Sequence, residues 1–424
     1  MQDFIYRGVG GVGLVIALSF SLLAFGNAAE SRIWTSRQGT TIEAELLAAD
    51  ASSATLVTKE AKQIKLDIED LSLADRQYLV EYSGADPSIL STGDLGEPET
   101  QARIDSKTIN KIDDQSFLLD DEFETMFDLT ESEHFIIATA GDVKGDAVAE
   151  TAERLWHGMS FQHMNFRRDW ADTKMVIFAV ENREIYTQLG KWYEGKLAAQ
   201  GDNTRLENFK FSWDKVGSTS IIISPEMSDK YVLQPRAVVF NVTRTERFKK
   251  PMRPFQIYCI SGALLSKQMG GVTSFGGKGY FALVTGHSYY KEISLGGESE
   301  TQLLSPTEPG VDDFSSARGF DDGSSWPREL KKAIRKGTVE VELEPMLEWT
   351  AEGLEPAQLV LLYSFASYMQ STPKRLNAYA TMIRRIESSN QIPLPVEIAK
   401  IFGFDSVEAL NADWKEYVTS NDFR

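Results

Sequence analysis

The sequence predicts an α+β protein in which a small β module precedes a larger mixed domain. Three observations carry this reading. Residues 31–82 alternate apolar and polar side chains in short runs, the period of half-buried strands. Residues 131–242 hold four apolar runs of strand length. Beyond about residue 252 the apolar residues recur at helical spacing, so strands come first and helices later, the order of an α+β domain. At 424 residues, 42% hydrophobic and 25% charged, the chain has room for two or three domains and a sizeable core.

Taken in order, residues 8–25 are an uncharged apolar run preceded by Arg7 and followed by Gly26, Asn27, Ala28 and Ala29. This pattern predicts a signal peptide over 1–29, cut near Ala28 or Ala29, and an extracytoplasmic destination, periplasmic or secreted. Asp3 offsets Arg7, so an uncleaved N-terminal anchor is the alternative. No other run approaches the roughly 20 apolar residues needed to span a bilayer, so the mature chain is expected to carry no membrane span. The runs Thr41–Leu46, Ala54–Val57 and Gln63–Leu66 predict strands of a small antiparallel barrel. A helix follows, with Ser72 as its N-cap.

Residues 83–130 read as an acidic linker, with 12 acids against 3 bases. Self-repulsion predicts a solvated, extended tether. From 131 to 424 the elements alternate. Strands are expected over 134–139, 175–180, 218–224 and 236–242. Helices are expected over about 144–157, 182–198, 252–269, 279–290, 327–336, 355–371, 374–388, 394–402 and 406–419. Asp405 and Glu408 suggest a capping box for the last helix. Residues 296–325 form a Gly/Ser/Asp-rich loop. The aromatic positions Trp349, Tyr363, Phe365, Tyr368 and Tyr379 are expected to pack the helical end.

Composition excludes several functions. A net charge of −18 repels phosphate backbones, so nucleic acid is not an expected partner. One cysteine, Cys259, can form neither an internal disulfide nor a Cys-rich zinc site. The four histidines are His134, His157, His163 and His287. His157 and His163 lie six apart, which does not put them on one helical face. The acids of 83–130 lack the alternating spacing of a calcium loop.

Residues 31–82 resemble the SLA homology domain of the first type, an SH3-like barrel. Arg32, Trp34-Thr35, Gly39, Glu43-Ala44, Leu56, Ile64, Leu66, Leu71-Ser72, Asp75 and Tyr78-Leu79 carry the match. Asp67 stands where that family usually has proline. The resemblance implies peptide or protein binding; self-association through this module is a separate alternative for its partner. Residues 131–424 resemble the peptidase-MA-like gluzincin family. The features are a Glu-Ser-x-His-Phe strand opening at Glu131, the Val176-Ile177-Phe178 strand leading to a helix at Glu181, and the ending Phe402-Gly403-Phe404-Asp405-Ser406 with Leu410, Asp413-Trp414 and Tyr417-Val418. The resemblance implies a mixed N-terminal sheet and a helical C-terminal half.

A gluzincin holds zinc with His-Glu-x-x-His on one helix, the glutamate acting as base, and a third ligand from the next helix. The matching positions here are Ser261, Gly262 and Leu265, then Thr285. None can ligate or act as base. Residues 247–286 contain no Asp, Glu or His, where about six acids would be expected at the chain's own frequency. The expectation is therefore a pseudoenzyme with no catalytic residues, no metal and no cofactor. The same stretch carries Arg247, Lys249, Lys250, Arg253, Lys267 and Lys278, which suggests that the acidic linker folds over it.

Other motifs carry less. Gly270–Gly279 looks like a phosphate loop but lacks the glycine five residues before the Gly-Lys pair and the hydroxyl residue after it. Cys259, in an apolar run, reads as a buried inert thiol rather than the partner of His287. Ser261 lacks a nucleophile elbow. The function expected is that of a secreted, non-catalytic protein that binds a peptide or protein, for example by adding a strand to a sheet edge. The alternatives are a hydrolase with displaced catalytic residues and a structural component of an envelope assembly.

Overall fold

The computed structural model describes residues 31–36, 39–50, 52–83, 98–112, 116–120, 123–163, 173–225, 228–229, 232–242, 245–269, 278–301, 323, 325–351 and 354–424. The apolar run expected as a signal peptide and most of the Gly270–Gly279 motif lie outside the described residues, as does most of the 296–325 loop.

The period-two runs near the N-terminus become four antiparallel strands in sequential order. These are β1 (Arg32–Thr35), β2 (Thr41–Ala49), β3 (Ser53–Thr58) and β4 (Gln63–Asp67). Their inward side chains, Trp34, Ala44, Ala54 and Leu56, join Ile68, Leu71 and Leu79 in a small core of their own. Asp67 ends β4 with φ −73°, an angle proline would also hold. Helix α1 (Leu73–Ser83) starts as expected: the Ser72 hydroxyl accepts the Asp75 amide at 3.1 Å. Asp75 is buried and binds Arg32 at 2.8 Å, the Thr35 amide at 2.8 Å and the Ser72 hydroxyl at 2.8 Å. Arg32 in turn lies over the rings of Trp34 and Tyr78, so one charged network ties strand to helix.

The second sheet has six strands in the order β11-β12-β10-β9-β8-β5. Its centre is parallel: β10 (Lys174–Val180) lies between β9 (Phe135–Ala140) and β12 (Leu233–Asn241). Both margins are antiparallel, with β11 (Ser218–Ile222) on one side and β8 (Asp128–Glu131) and β5 (Asn110–Ile112) on the other. The sheet is covered on both faces, which explains why β9 and β10 are apolar without alternation. Ile137, Ile177, Val238 and Phe240 face one core, shared with helix α3 (Gly145–Gln162). Ile136, Ala138, Val176, Phe178 and Val239 face another, packed by helix α4 (Arg183–Gln200). The C-terminal half is helical and completes the first core, so the chain is α+β as the sequence predicts.

Several elements were not expected. Helix α2 (Pro98–Gln101), strands β5 and β8, and the hairpin β6 (Ser116–Asp120) to β7 (Phe123–Met126) fall in the stretch read as a solvated tether. The described parts of this stretch are instead built into the structure: Pro98 and Glu99 are buried and β5 pairs with β8. Helix α5 (Asn203–Phe211) and a π turn at Ser212–Val216 also went unforeseen. The π turn delivers Trp213 onto Tyr186, ring centroids 4.1 Å apart.

The helical half follows the expected order, with one added short helix at Leu343–Glu348 that the sequence reading lacks. Helices α6 (Pro254–Gln268) and α7 (Tyr280–Gly296) pack together; α8 (Trp326–Arg335), α9 (Leu343–Glu348) and α10 (Pro356–Met369) follow. Then come α11 (Pro373–Ser389), α12 (Pro395–Ile401) and α13 (Val407–Thr419). Helix α7 approaches α10 so closely at Gly286 that a Cβ there would lie 2.5 Å from the Leu362 carbonyl oxygen. Tyr363, Phe365, Tyr368 and Tyr379 are buried as expected, and Trp349 packs partly buried against the same core. The last helix is capped by Ser406, whose hydroxyl accepts the Ala409 amide at 3.2 Å, not by Asp405.

Candidate functional site

Helices α6 and α7 carry the positions Ser261, Gly262, Leu265 and Thr285 that the gluzincin resemblance assigns to a zinc motif. All four matching positions are interior. Ser261 and Leu265 are fully buried and Thr285 nearly so. The Ser261 hydroxyl donates to the Tyr258 carbonyl one turn back at 3.3 Å. Gly262 lies against α7: a Cβ there would sit 2.4 Å from the Ser288 hydroxyl oxygen and 3.5 Å from Val284. A glutamate at 262 has no room, so the interhelical space is filled rather than open. The residues present do not fit a gluzincin zinc, and among the described residues no group of three His, Cys, Asp or Glu is placed to hold a metal ion.

Cys259 is buried, and burial together with the nearby Glu292 carboxyl pushes its thiol well above the usual range. It is not hydrogen-bonded to His287, whose partners are Tyr379 and the ring of His163.

The histidines separate. His134 lies at the edge of the main sheet, its Nδ1 2.7 Å from Glu153 and its ring stacked on Trp156 at 3.6 Å. Burial raises the Glu153 carboxyl, but the His134 contacts outweigh it and hold the group below the usual range. His157 faces the β module, within about 3 Å of where a Cβ on Gly39 would lie. Gly39 has φ +83°, so glycine is needed there on two counts.

His163 and His287 are brought together, which the sequence did not reveal. Both are fully buried, with ring centroids 6.2 Å apart. His163 Nδ1 is 2.9 Å from Gln268 Oε1, and His287 Nδ1 is 3.2 Å from the Tyr379 hydroxyl. One turn beyond His287, Lys291 donates to Gln162 Oε1 at 2.7 Å and pairs with Glu99 Oε1 at 2.5 Å. Burial, reinforced by the Lys291 charge, brings His163 down to about 4 and His287 well below its ordinary value. Both imidazoles are therefore neutral at physiological pH. The Nε2 atoms of His163, His287 and Gln268 are buried without a hydrogen-bond partner. Each such group costs about 1–3 kcal/mol, so the cluster is a destabilised point in an otherwise well-packed core.

No protein-family model, curated protein or solved structure matches the chain. The site must be judged on its own geometry.

One acid lies on α7 just past the acid-free stretch. Glu292 is fully buried, and its two oxygens accept from the Ser299 hydroxyl, the Glu300 and Thr301 amides and the Thr301 hydroxyl at 2.9–3.1 Å. Burial dominates these bonds and raises the carboxyl to about 7. With four donors on it and fully buried, Glu292 fastens the chain after α7. The basic stretch is likewise matched internally. Glu300 meets Arg247 and Arg253, Asp142 meets Lys249 at 2.5 Å, and Glu348 meets Lys278. Among the described residues, these carboxylates come from outside the 83–130 stretch. Glu99 of that stretch reaches this region, through Lys291. The signal for it was available: Lys291-Glu292 interrupts an apolar helix, and buried charges require partners.

Proposed function

We propose that the chain is an extracytoplasmic, non-catalytic protein that binds a peptide or protein, made of an SLA-homology-like SH3-type module and a degenerate peptidase-like domain. The observation that carries this reading is the packing of Gly262 against Ser288. The volume in which a peptidase would hold its base and metal is taken up by a helix–helix contact. The surrounding polar groups are buried and turned inward: Glu292 to residues 299–301, Lys291 to Glu99 and Gln162, and the two histidines to Gln268 and Tyr379. The β module supplies contact surface of its own. Ile33 and Leu47 on its first two strands are 60% and 56% exposed, and Leu66, Ile42 and Leu46 are only partly covered. Such apolar side chains on a small sheet favour a protein contact, including self-association of the module. Among the described residues no helix is long and apolar enough to cross a membrane.

The test is the zinc content of purified residues 30–424 after equilibration with excess Zn²⁺ and buffer exchange, run beside a peptide-library digest. Metal far below one ion per chain and an intact library are expected. One tightly held zinc per chain together with cleavage would overturn the reading.

A further inference from the structure

The chain carries an excess of acids, yet one concave surface is strongly cationic. Helix α8 buries Trp326, Leu330 and Ile334 and turns its other face outward. That face and the C-terminal segment line a groove of about 950 Å³ bearing Arg328, Lys331, Lys332, Arg335, Lys336 and Arg424. Phe423 anchors the far wall: it is fully buried, its ring lies 5.6 Å from Tyr363, and its carbonyl accepts the Lys331 ammonium at 2.8 Å. Among the described side chains, two carboxylates stand near these six cations. Glu329 reaches Arg328 at 3.2 Å and Lys332 at 3.5 Å, and Asp422 lies near Lys331. The cations are crowded: burial, with Arg335 and Arg424 alongside, pulls Lys331 below its ordinary value. An anion in the groove would relieve that repulsion.

The form of the anion can be narrowed. The large exposed apolar side chains, Ile33, Leu47, Ile222, Val232, Leu394 and Val396, all lie on other elements. The aromatics beside the groove, Trp326 and Phe423, are buried. The groove therefore offers no apolar wedge for a bilayer and no exposed ring for base stacking. A net charge of −18 repels any polyanion that extends beyond the groove. A short ligand with separate charges fits better. Arg328 to Arg335 spans seven residues, about 10 Å of helix axis, the length of about three residues of extended chain. In an extended peptide, alternate side chains share a face and repeat at about 6.7 Å. Arg328 and Lys332 are separated by about 6 Å along the helix.

We propose that this groove binds an extended acidic peptide segment with carboxylates at alternating positions. The proposal rests on the reading of the chain as a peptide-binding protein and gives that reading a location and a ligand charge. The guanidiniums of Arg328 and Arg335 would take carboxylates in a bidentate manner, with Lys332 and Lys336 as flexible point charges.

The experiment is fluorescence anisotropy of a labelled Glu-Gly-Glu-Gly-Glu peptide titrated with residues 30–424 at low and at physiological salt. The variant is Lys332→Glu/Arg335→Glu, both surface positions, checked for unchanged circular dichroism. Lys191→Glu on the exposed side of α4 controls for a charge change elsewhere. Saturable binding that weakens at least tenfold in the double variant and not in the control is expected. Binding equal in the double variant, or none in any protein, overturns the groove proposal and leaves the non-catalytic reading to its zinc and digest test. Tighter binding to anionic vesicles or to a single-stranded oligonucleotide than to the peptide overturns it as well. Recovery of the peptide by mass spectrometry separates the two ideas: a cleaved peptide refutes the non-catalytic reading while leaving the groove proposal in place.

Discussion

Replacing Lys291 with methionine should destabilise the main domain by about 3–5 kcal/mol. The side chain of Lys291 is 3% exposed and that of Glu99 is 1% exposed, with Nζ to Oε1 at 2.5 Å. At an effective dielectric near 20, two unit charges at that distance attract by about 6–7 kcal/mol. Several kcal/mol of desolvation per ion oppose this, so the intact pair is close to balanced. Methionine keeps most of the stem's volume and removes only the charge. Glu99 is then buried with no cation and must either stay charged at full desolvation cost or take up a proton. It has no route to solvent, because its carboxylate sits in the gap left by Gly158, 2.3 Å from where a Cβ would be. The double variant Glu99→Gln/Lys291→Met removes both charges and should recover most of the loss. The assay is urea unfolding at pH 7.5 for the four proteins of the cycle, followed by near-ultraviolet circular dichroism. A coupling of at least about 2 kcal/mol is expected. Single variants within 1 kcal/mol of the parent, with additive effects, would refute the argument that a buried ion pair fixes α2 to α7.

Three further outcomes follow from the same core. The Glu292 carboxyl is raised from 4.5 to about 7. The folded state therefore binds a proton that the unfolded state has lost between those values, and stability falls as pH rises through the window. Relative to Glu292→Gln, which keeps the acceptors on Oε1, the parent should lose about 3 kcal/mol from pH 4.5 to pH 7.5 in urea titrations. His163 has the opposite sign: it is lowered from 6.5 to about 4. The unfolded state binds the extra proton, so stability is lost as pH falls from about 6.5 to about 4, and His163→Asn should flatten that limb by about 3 kcal/mol. Gly262→Ala should cost about 1–3 kcal/mol of thermal or urea stability through the 2.4 Å clash with the Ser288 hydroxyl. Adding Ser288→Ala should restore it, since the Ser288 Cβ is 3.6 Å away; no recovery would mean that the contact is not the cause.

Much of the fold was legible because its elements are long and their periods clear. Thr41–Ala49 and Ser53–Thr58 alternate, and β9 and β10 are unbroken apolar runs between turns. What failed to show was short or masked by charge. Asn110-Lys111-Ile112 is three residues, too short for any period, and Asp128-Leu129-Thr130-Glu131 is as polar as the linker around it. Glu99 sits among 12 acids, so nothing local distinguishes the one that is buried. The histidine cluster was illegible for another reason. His163, Gln268, His287 and Tyr379 come from the end of α3 and from α6, α7 and α11, and the bonds joining them span about a hundred residues. Only tertiary packing brings such residues together. The lack of Asp, Glu and His over 247–286, by contrast, is a local property of the sequence itself.

The polar interior of the helical half has a consistent electrical logic. Lys291 is the one cation in the cluster, and its field acts on whatever lies within reach. It pairs with Glu99 beside it and, together with burial, disfavours a positive charge on His163 and His287. A catalytic site needs the reverse: groups poised near neutral pH and open to a substrate. Here Glu292 accepts from the Ser299 and Thr301 hydroxyls and the Glu300 and Thr301 amides, and the imidazoles are enclosed. The buried charges also hold a segment in place. Helix α2 is only four residues long and has no hydrophobic face of its own, yet Glu99 anchors it to α7 while Arg154 of α3 donates to the Ala102 carbonyl at 2.8 Å. The chain leading out of the β module is thus clamped at its far end by charge buried in the larger domain. Loosening that clamp with Lys291→Met should expose residues 98–102 to amide exchange and proteolysis before the rest of the domain responds.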